Sequence, residues 1–567
     1  MNWPVCSIAE ALAALTKQGA PFEMRDEKIG NDVLRTYVHA PSHIRQVLDD
    51  SRRFADRNFL VYEGDRITFE AHWRAANAFG RALADHFGIE KGDRVAVAMR
   101  NFPEWSACAF GALAIGAVLV PLNAWETGAG LARMIRDSGA KVTVVDSERL
   151  ERLQGENHGS ILITVRDGGG DDRFERLVGP VAEWSMLPDR PAPDRRITSD
   201  DHATIGFTSG TTGAAKGALG THRGAMANLV SIQYRAARAA LRRGDSWPPK
   251  PSEEQPVVLL PLPFFHATGM HSGLMPALAR GTRLVGMHRW DLQKALALIE
   301  SERANILVLV PTLVEQLLQF VPHGGSVGLE SVLTVTYGGA PASADLAAGV
   351  QSRFPGASPA QGYGATEVTS LIASNSHEDL IARPDSVGTV VPCCDVRIVD
   401  DHGKDVAAGT PGELWVRGPN VFRGYWGREE ETSAVKQGAW YRTGDIVTMD
   451  EEGFIYVKDR KKDMVIRGGE NIYCAEVEQA ISRITGVTEC AVFGLPDKIM
   501  GEIVAATVVA PKEAGLTEQG IRDRIAVDLA AFKVPTIVSM TGEPLPRNAA
   551  GKVMKHRLRD AVQIEQA

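Results

Sequence analysis

The chain has 567 residues, of which 44% are hydrophobic and 23% charged; that is too long for one core, so two or more domains are expected. A net charge of −8 and a sequence pI of about 6.0 argue against a nucleic-acid binder held by phosphate contacts, and a small-molecule substrate fits better. Six cysteines without metal spacing imply reduced thiols, a cytoplasmic address and no zinc or disulfide framework.

The amino terminus has no basic segment, and Glu10 interrupts its short apolar run, so no secretory signal is expected. Residues 42–146 alternate helix patterns with short apolar runs at 60–61, 95–99 and 142–145, the texture of parallel strands under helical cover. Residues 105–125 are apolar for about the length of a spanning helix. They are rich in Ala and Gly, however, and read as a buried helix over 105–116 running into a buried strand over 117–122, with no integral membrane segment. Residues 147–198, with a turn run and a proline cluster, read as surface connection.

Residues 203–217 form an apolar, strand-like lead-in that empties into hydroxyls and glycines and closes on Lys216. Backbone N–H groups, the hydroxyls of Thr208, Ser209, Thr211 and Thr212, and one ammonium can converge there on a single anion, most simply a polyphosphate. The Walker spacing fails, because Ala215 stands where the second glycine belongs and Gly217 where a hydroxyl should follow Lys216. Residues 235–254, basic and then proline-rich and acidic, read as an exposed excursion. Three buried strands follow, at 257–266 ending in prolines, aromatics and His266, at 306–310 before Pro311, and at 332–337 before Gly338-Gly-Ala-Pro341. Strand ends are where α/β proteins put ligands. Residues 388–426 read as a distorted β unit, 442–445 as a tight turn, and 458–463 as a charged run. A boundary near Lys462 divides the chain into domains 1–461 and 462–567.

Thr208-Ser-Gly-Thr-Thr-Gly213 with Lys216 and Gly217 resembles the phosphate loop of the adenylate-forming enzymes, which include acyl-CoA synthetases, luciferases and peptide-synthetase adenylation domains. Further stretches match that superfamily in its order as far as Lys555. The resemblance implies an α/β fold: a large N-terminal domain of parallel-sheet α/β subdomains plus a distorted β unit, with a smaller mobile α+β C-terminal domain. In Gly362-Tyr-Gly-Ala-Thr-Glu367 it implies that Glu367 helps hold Mg²⁺, that Thr366 meets the α-phosphate, and that Tyr363 stacks near adenine between Gly362 and Gly364. Gly338, Gly339, Ala340 and Pro341 resemble the adenine-side turn. Asp445 matches the residue that takes the ribose diol, Arg460 one at the ribose or phosphate, and Lys462 the hinge position. Pro546-Arg-Asn-Ala-Ala-Gly-Lys552 resembles the C-terminal catalytic loop, with Lys552 its reaching lysine, and Gly468 and Gly469 the loop lining the pantetheine tunnel. Many relatives carry Pro where this chain has Cys474. His266 matches an aromatic or His that gates the acyl pocket against the thiol tunnel.

The implied reaction converts a carboxylate and ATP, with Mg²⁺, to an acyl-adenylate and pyrophosphate, after which CoA displaces AMP. The residues expected around the acyl pocket are aromatic, small and aliphatic, which suits an apolar acid, a fatty acid before an aryl or cyclic one. Transfer to a carrier protein and a nucleotide-binding protein without catalysis are the competing readings. No carrier domain follows Lys555 and a sensor has no use for Lys552, so both rank lower. A homodimer is the candidate assembly.

Overall fold

The computed structural model describes residues 3–166, 169, 172–208, 215–248, 254–325, 328–468, 470–547 and 553–566. Among these, three sheets organise the chain. The first has six strands in the order Gly217–Thr221, His202–Phe207, Val118–Pro121, Arg94–Ala98, Ala140–Val145 and Ile161–Thr164. All pair in parallel except the first, which returns antiparallel on His202–Phe207.

The membrane-length apolar run lies inside this layer. Pro103 opens a helix, Pro103–Ala114, buried along its whole length, and the strand Val118–Pro121 follows. Pro suits a first helical position because its missing N–H would have had no partner there. Gly111 lets this helix press against Phe69–Asp85, since a Cβ on Gly111 would lie 2.5 Å from the Ala76 carbonyl oxygen. No described helix is long and apolar enough to cross a membrane.

The second sheet has the antiparallel edge strand Asp65–Thr68 and then six parallel strands, in the order Asn58–Tyr62, Arg283–Val285, Val257–Leu259, Ile306–Leu309, Thr334–Gly338 and Ser358–Tyr363. It then continues antiparallel through Ala373–Ser376, Gly388–Val390, Phe454–Arg460, Trp440–Met449, Gly412–Arg417 and Asp395–Val399, the distorted β unit of the sequence. The third sheet has five strands, from Val465–Arg467 to Ile537–Thr541, flanked by the helices Cys474–Ser482 and Glu518–Ile525. The protein is thus an α/β fold with a large N-terminal and a smaller C-terminal unit.

Two expectations fail. Residues 147–198 are structured: they include the helix Ser147–Leu153, the edge strand Ile161–Thr164 and a fully buried Trp184. The excursion expected at 235–254 begins inside a long helix, His222–Arg243, on which Arg238 and Arg242 are buried. Partners more than a hundred residues away make that burial possible. Arg242 pairs with the equally buried Asp379 at 2.8 Å, and Arg238 donates to the Ser374 carbonyl at 2.9 Å. Buried charges are tolerated only when paired and hydrogen-bonded, and a local sequence window does not reveal such partners.

Candidate active site

The carboxyl ends of parallel strands from both large sheets meet at one cleft, lined by Pro121, Gly206, Phe265, His266, Thr366 and Thr369 among others. Thr366 comes from the turn after Ser358–Tyr363, and its methyl group would lie 2.9 Å from a Cβ on Gly206. The end of the first sheet's phosphate-loop strand therefore faces the Thr366 turn of the second. The Thr208 N–H donates to the Lys216 carbonyl at 2.9 Å, closing the neck of the loop. Ser209, Gly210, Thr211, Thr212 and Gly213 lie outside the described residues.

His266 is half-buried at the cleft wall, its ring centroid 4.6 Å from that of Phe265 and 6.1 Å from that of Trp125. The segment Thr268–Leu274 that follows is a π-helix, an element frequent at functional sites. Its His271, which no sequence motif marks, is buried at the cleft, and its Nδ1 has no hydrogen-bond partner among the described residues. Burial lowers the His271 pKa to about 4.

Glu367 is buried beside Thr366, and the Tyr425 hydroxyl donates to its Oε1 at 2.8 Å. Over the Tyr425 ring stands the Lys216 ammonium, 5.2 Å from the centroid. Burial and the Glu367 carboxylate hold the Tyr425 phenol well above its ordinary pKa, so it stays a donor. Residues 423–426 bring Tyr425 here by running along the strand Gly217–Thr221: the Arg423 N–H donates to the Leu219 carbonyl and the Trp426 N–H to that of Gly217, both at 2.8 Å. Sequence reasoning missed Tyr425, since a lone tyrosine in a Gly- and Trp-rich return carries no motif. Among the described residues no group of three or more His, Cys, Asp or Glu side chains could hold a metal. A single carboxylate suits Mg²⁺, which keeps waters and takes its other ligands from substrate phosphates.

The adenine-side residues are shaped by missing side chains. A Cβ on Gly338 would sit 2.6 Å from the Gly362 carbonyl oxygen, and one on Gly364 only 1.5 Å from that of Ser370. Gly339, Ala340 and Pro341 follow at the surface. Beside them Tyr363 donates its hydroxyl to Asp445 Oδ2, and Arg460 Nε approaches Asp445 Oδ1 at 2.5 Å. Asp445 is not in a tight turn, as the sequence suggested, but within the ten-residue strand Trp440–Met449. A bulge opens opposite Leu414, where Gly444 adopts φ +72°, the Thr443 hydroxyl donates to the Leu414 carbonyl, and the Asp445 N–H donates to the Thr443 hydroxyl. Such bulges re-aim side chains beside functional sites.

Lys462 is exposed in the turn between Phe454–Arg460 and Val465–Arg467. Gly468 has φ +59°, and its N–H donates to the Met500 carbonyl at 2.8 Å. Gly469 and Lys552 lie outside the described residues. Asp459, the last residue but one of the second sheet's strand, accepts from the Cys474 N–H at the first turn of the helix Cys474–Ser482. Cys474 in turn donates its thiol to the Asp463 carbonyl at 2.8 Å. Burial raises the Asp459 pKa to about 6.

Two family models match the chain: AMP-binding enzyme over residues 47–426, and AMP-binding enzyme C-terminal domain over residues 476–552. A long-chain-fatty-acid–CoA ligase of Yersinia pestis is 33% identical, covering 90% of this chain and 92% of its own. A feruloyl-CoA synthase of an Amycolatopsis species is 34% identical over 83% of this chain and 89% of its own. The solved structure of o-succinylbenzoate CoA synthetase from Bacillus subtilis with its acyl-adenylate intermediate gives a TM-score of 0.77 at 28% identity, covering 92% of this chain and 99% of that one. The same enzyme with ATP and magnesium ion gives 0.75 at 28% identity, covering 91% and 99%.

Proposed function

The chain belongs to the AMP-binding enzyme family and is an AMP-forming acyl-CoA synthetase, and on that premise we propose that it joins an acid with an apolar body to CoA. A fatty acid is the first reading, and the named feruloyl-CoA synthase favours an aryl acid as the second. What carries the reading is the meeting of Thr366 with the end of the phosphate-loop strand at Gly206, which supplies donors from two sheets to one phosphate.

In the first half-reaction a carboxylate oxygen attacks the α-phosphorus, the bond to the bridging oxygen breaks, and pyrophosphate leaves. Negative charge grows on the α-phosphate, where Thr366, Lys216 and, from the small domain, Lys552 act as donors. Asp445, held by Tyr363 and Arg460, accepts from the ribose diol, and the open backbone of Gly338–Pro341 takes the flat base. Glu367, fixed by Tyr425, would hold Mg²⁺, which when bound neutralises phosphate charge. In the second half-reaction the CoA sulfur attacks the acyl carbon, the bond from that carbon to the AMP oxygen breaks, and the thiol proton is released. We assign the Gly468–Gly469 loop to CoA, His266 to the gate between acyl pocket and thiol, and Lys462 to the hinge between domains 1–461 and 462–567. The six cysteines are free thiols, in keeping with a cytoplasmic address, and a homodimer is the assembly we propose.

The protein is incubated with ATP, Mg²⁺ and a panel of fatty and aryl acids, with and without CoA, while pyrophosphate and AMP are followed. The expected result is one equivalent of pyrophosphate without CoA and sustained AMP release with it. Sustained AMP release without CoA, or no pyrophosphate with any acid, would overturn the proposal.

A further inference from the structure

The helix His222–Arg243 carries three inward arginines, and only two of them are accounted for. Arg242 has Asp379, and Arg238 has the Thr389 hydroxyl and the Ser374 carbonyl. Arg235 has one contact, its Nη2 to the Thr336 hydroxyl at 3.5 Å, and no carboxylate beside it among the described residues. Burial, and then the charges of Arg238 and Arg280, lower its pKa to about 10. Arg280 is the last residue of the helix Met275–Arg280, and among the described residues it has no hydrogen bond or ion pair. It keeps solvent access, yet the protein packed around it lowers its pKa by desolvation. Arg280 is thus open to solvent, and its charge reaches the half-buried Arg235.

The sheet beneath Arg235 leaves a crevice at Thr336. Thr336, Ala360 and Ser376 stand on one rung of three neighbouring strands, Thr336 opposite Ala360 and Ala360 opposite Ser376, so their side chains share one face. These are small residues in central strands, where bulky aliphatic ones are the rule. Thr336 is only half-buried although its strand lies mid-sheet. The rung lies two residues before Gly338, roughly 7 Å along the strand from the adenine-side turn. Two buried polar atoms here also have no partner among the described residues, Ser376 Oγ and His377 Nδ1. Burial and the charges of Arg243, Arg235 and Arg238 lower the His377 pKa to about 3, so its imidazole adds no charge of its own at neutral pH.

We propose that this crevice is the acyl pocket and that Arg235, with the solvent-exposed Arg280, binds a second carboxylate at the far end of the substrate, so that the enzyme's acid is a dicarboxylate with an apolar body. This rests on the acyl-CoA synthetase reading above and names its substrate class. A half-buried cation without a counter-ion is costly to leave as it is, and a carboxylate beside Arg235 removes that cost. A plain fatty chain would leave the Arg235 guanidinium unpaired against methylenes.

The test compares acids matched in length, hexanoate with adipate and octanoate with suberate, by AMP release from the full-length protein with ATP, Mg²⁺ and CoA. The dicarboxylate of each pair is expected to win in kcat/KM by about ten- to hundredfold, the range of a charged hydrogen bond. Arg235→Met and, separately, Arg280→Met should abolish or reverse that preference, and the two variants guard against one of them failing to fold. A native enzyme that prefers the monocarboxylates, or a preference for dicarboxylates that neither variant alters, would overturn the assignment while leaving the ligase reading intact. Failure of every acid to release pyrophosphate would remove both.

Discussion

Asp445 and Arg460 face each other directly on neighbouring antiparallel strands, with Arg460 Nε 2.5 Å from Asp445 Oδ1 and the Tyr363 hydroxyl on the other carboxylate oxygen. The arginine therefore fixes the carboxylate before any ribose arrives. Asp445→Ala should raise the KM for ATP roughly ten- to hundredfold, the worth of a charged hydrogen bond, and change the KM for the acid much less. Steady-state kinetics with each substrate varied in turn decide this, and equal shifts in both would remove Asp445 from the nucleotide site.

Tyr425→Phe should weaken Mg²⁺ activation by about 10–100-fold, the usual effect of losing a residue that orients a metal-holding carboxylate. The hydroxyl reaches Glu367 at 2.8 Å, and without it the carboxylate is free to rotate. Titrating Mg²⁺ at saturating ATP measures the shift. An unchanged activation curve would mean that the tyrosine only packs.

The pair Arg242–Asp379 is buried, both side chains being 3% exposed or less. Asp379→Ala should cost about 3–5 kcal/mol in stability, because it strands a buried guanidinium. Replacing both residues by apolar ones of similar volume should recover most of that loss. Urea unfolding at unchanged m-value reads both effects.

His222 accepts from the Ile44 N–H at Nδ1, 3.2 Å away, so that nitrogen carries no proton in the folded state. Burial lowers its pKa from 6.5 to about 3. Between those two values the unfolded chain holds the extra proton. Stability is therefore fully present above pH 6.5 and falls as the pH is lowered, by about 1.4 kcal/mol per pH unit for each such group. His271, at about 4, acts in the same direction. His222→Gln, which keeps an acceptor for Ile44, should flatten the decline by one proton between pH 6 and 5 in urea unfolding. A slope equal to that of the native protein would show that His222 is protonated in both states.

Lys462→Pro should leave a single turnover of acyl-adenylate near normal and slow thioester formation, while Lys462→Ala should do little to either. Proline fixes φ near −65° and removes an N–H. In this turn the hydrogen-bonding N–H groups are those of Lys461, Asp463 and Met464, so the substitution acts on rotation rather than on a bond. Quenched single-turnover assays separate the two halves. A proline variant that forms thioester at the native rate would move the hinge elsewhere.

The strand ends carrying Gly338, Tyr363 and His266 were legible because a buried apolar run that stops at Gly, Pro or His needs no distant partner to be recognised. The inward arginines were not. A local window prices Arg238 and Arg242 as surface groups, and only Ser374, Asp379 and Thr389, well over a hundred residues on, make their burial tolerable. Tyr425 was invisible for a related reason, since its role arises from pairing between residues 423–426 and a strand two hundred positions earlier. Asp445 was placed on the wrong backbone: the Gly444 that suggested a turn makes a bulge inside a strand.

The bond from the Cys474 N–H to Asp459 crosses the proposed hinge, for Asp459 precedes Lys462 and Cys474 follows it. A carboxylate of the large unit thus terminates a helix of the small one, where the exposed N–H groups and the helix dipole favour negative charge. The proposed turn of the small domain about Lys462 would withdraw that carboxylate and leave the helix start to water. Such a motion would be biased like a sprung door, with this latch closed at rest, and opening it would draw on the binding energy of whichever substrate prefers the other orientation. With the Asp459 pKa at about 6, mild acid would neutralise the latch and shift the balance between the two proposed orientations within the pH range of ordinary assays.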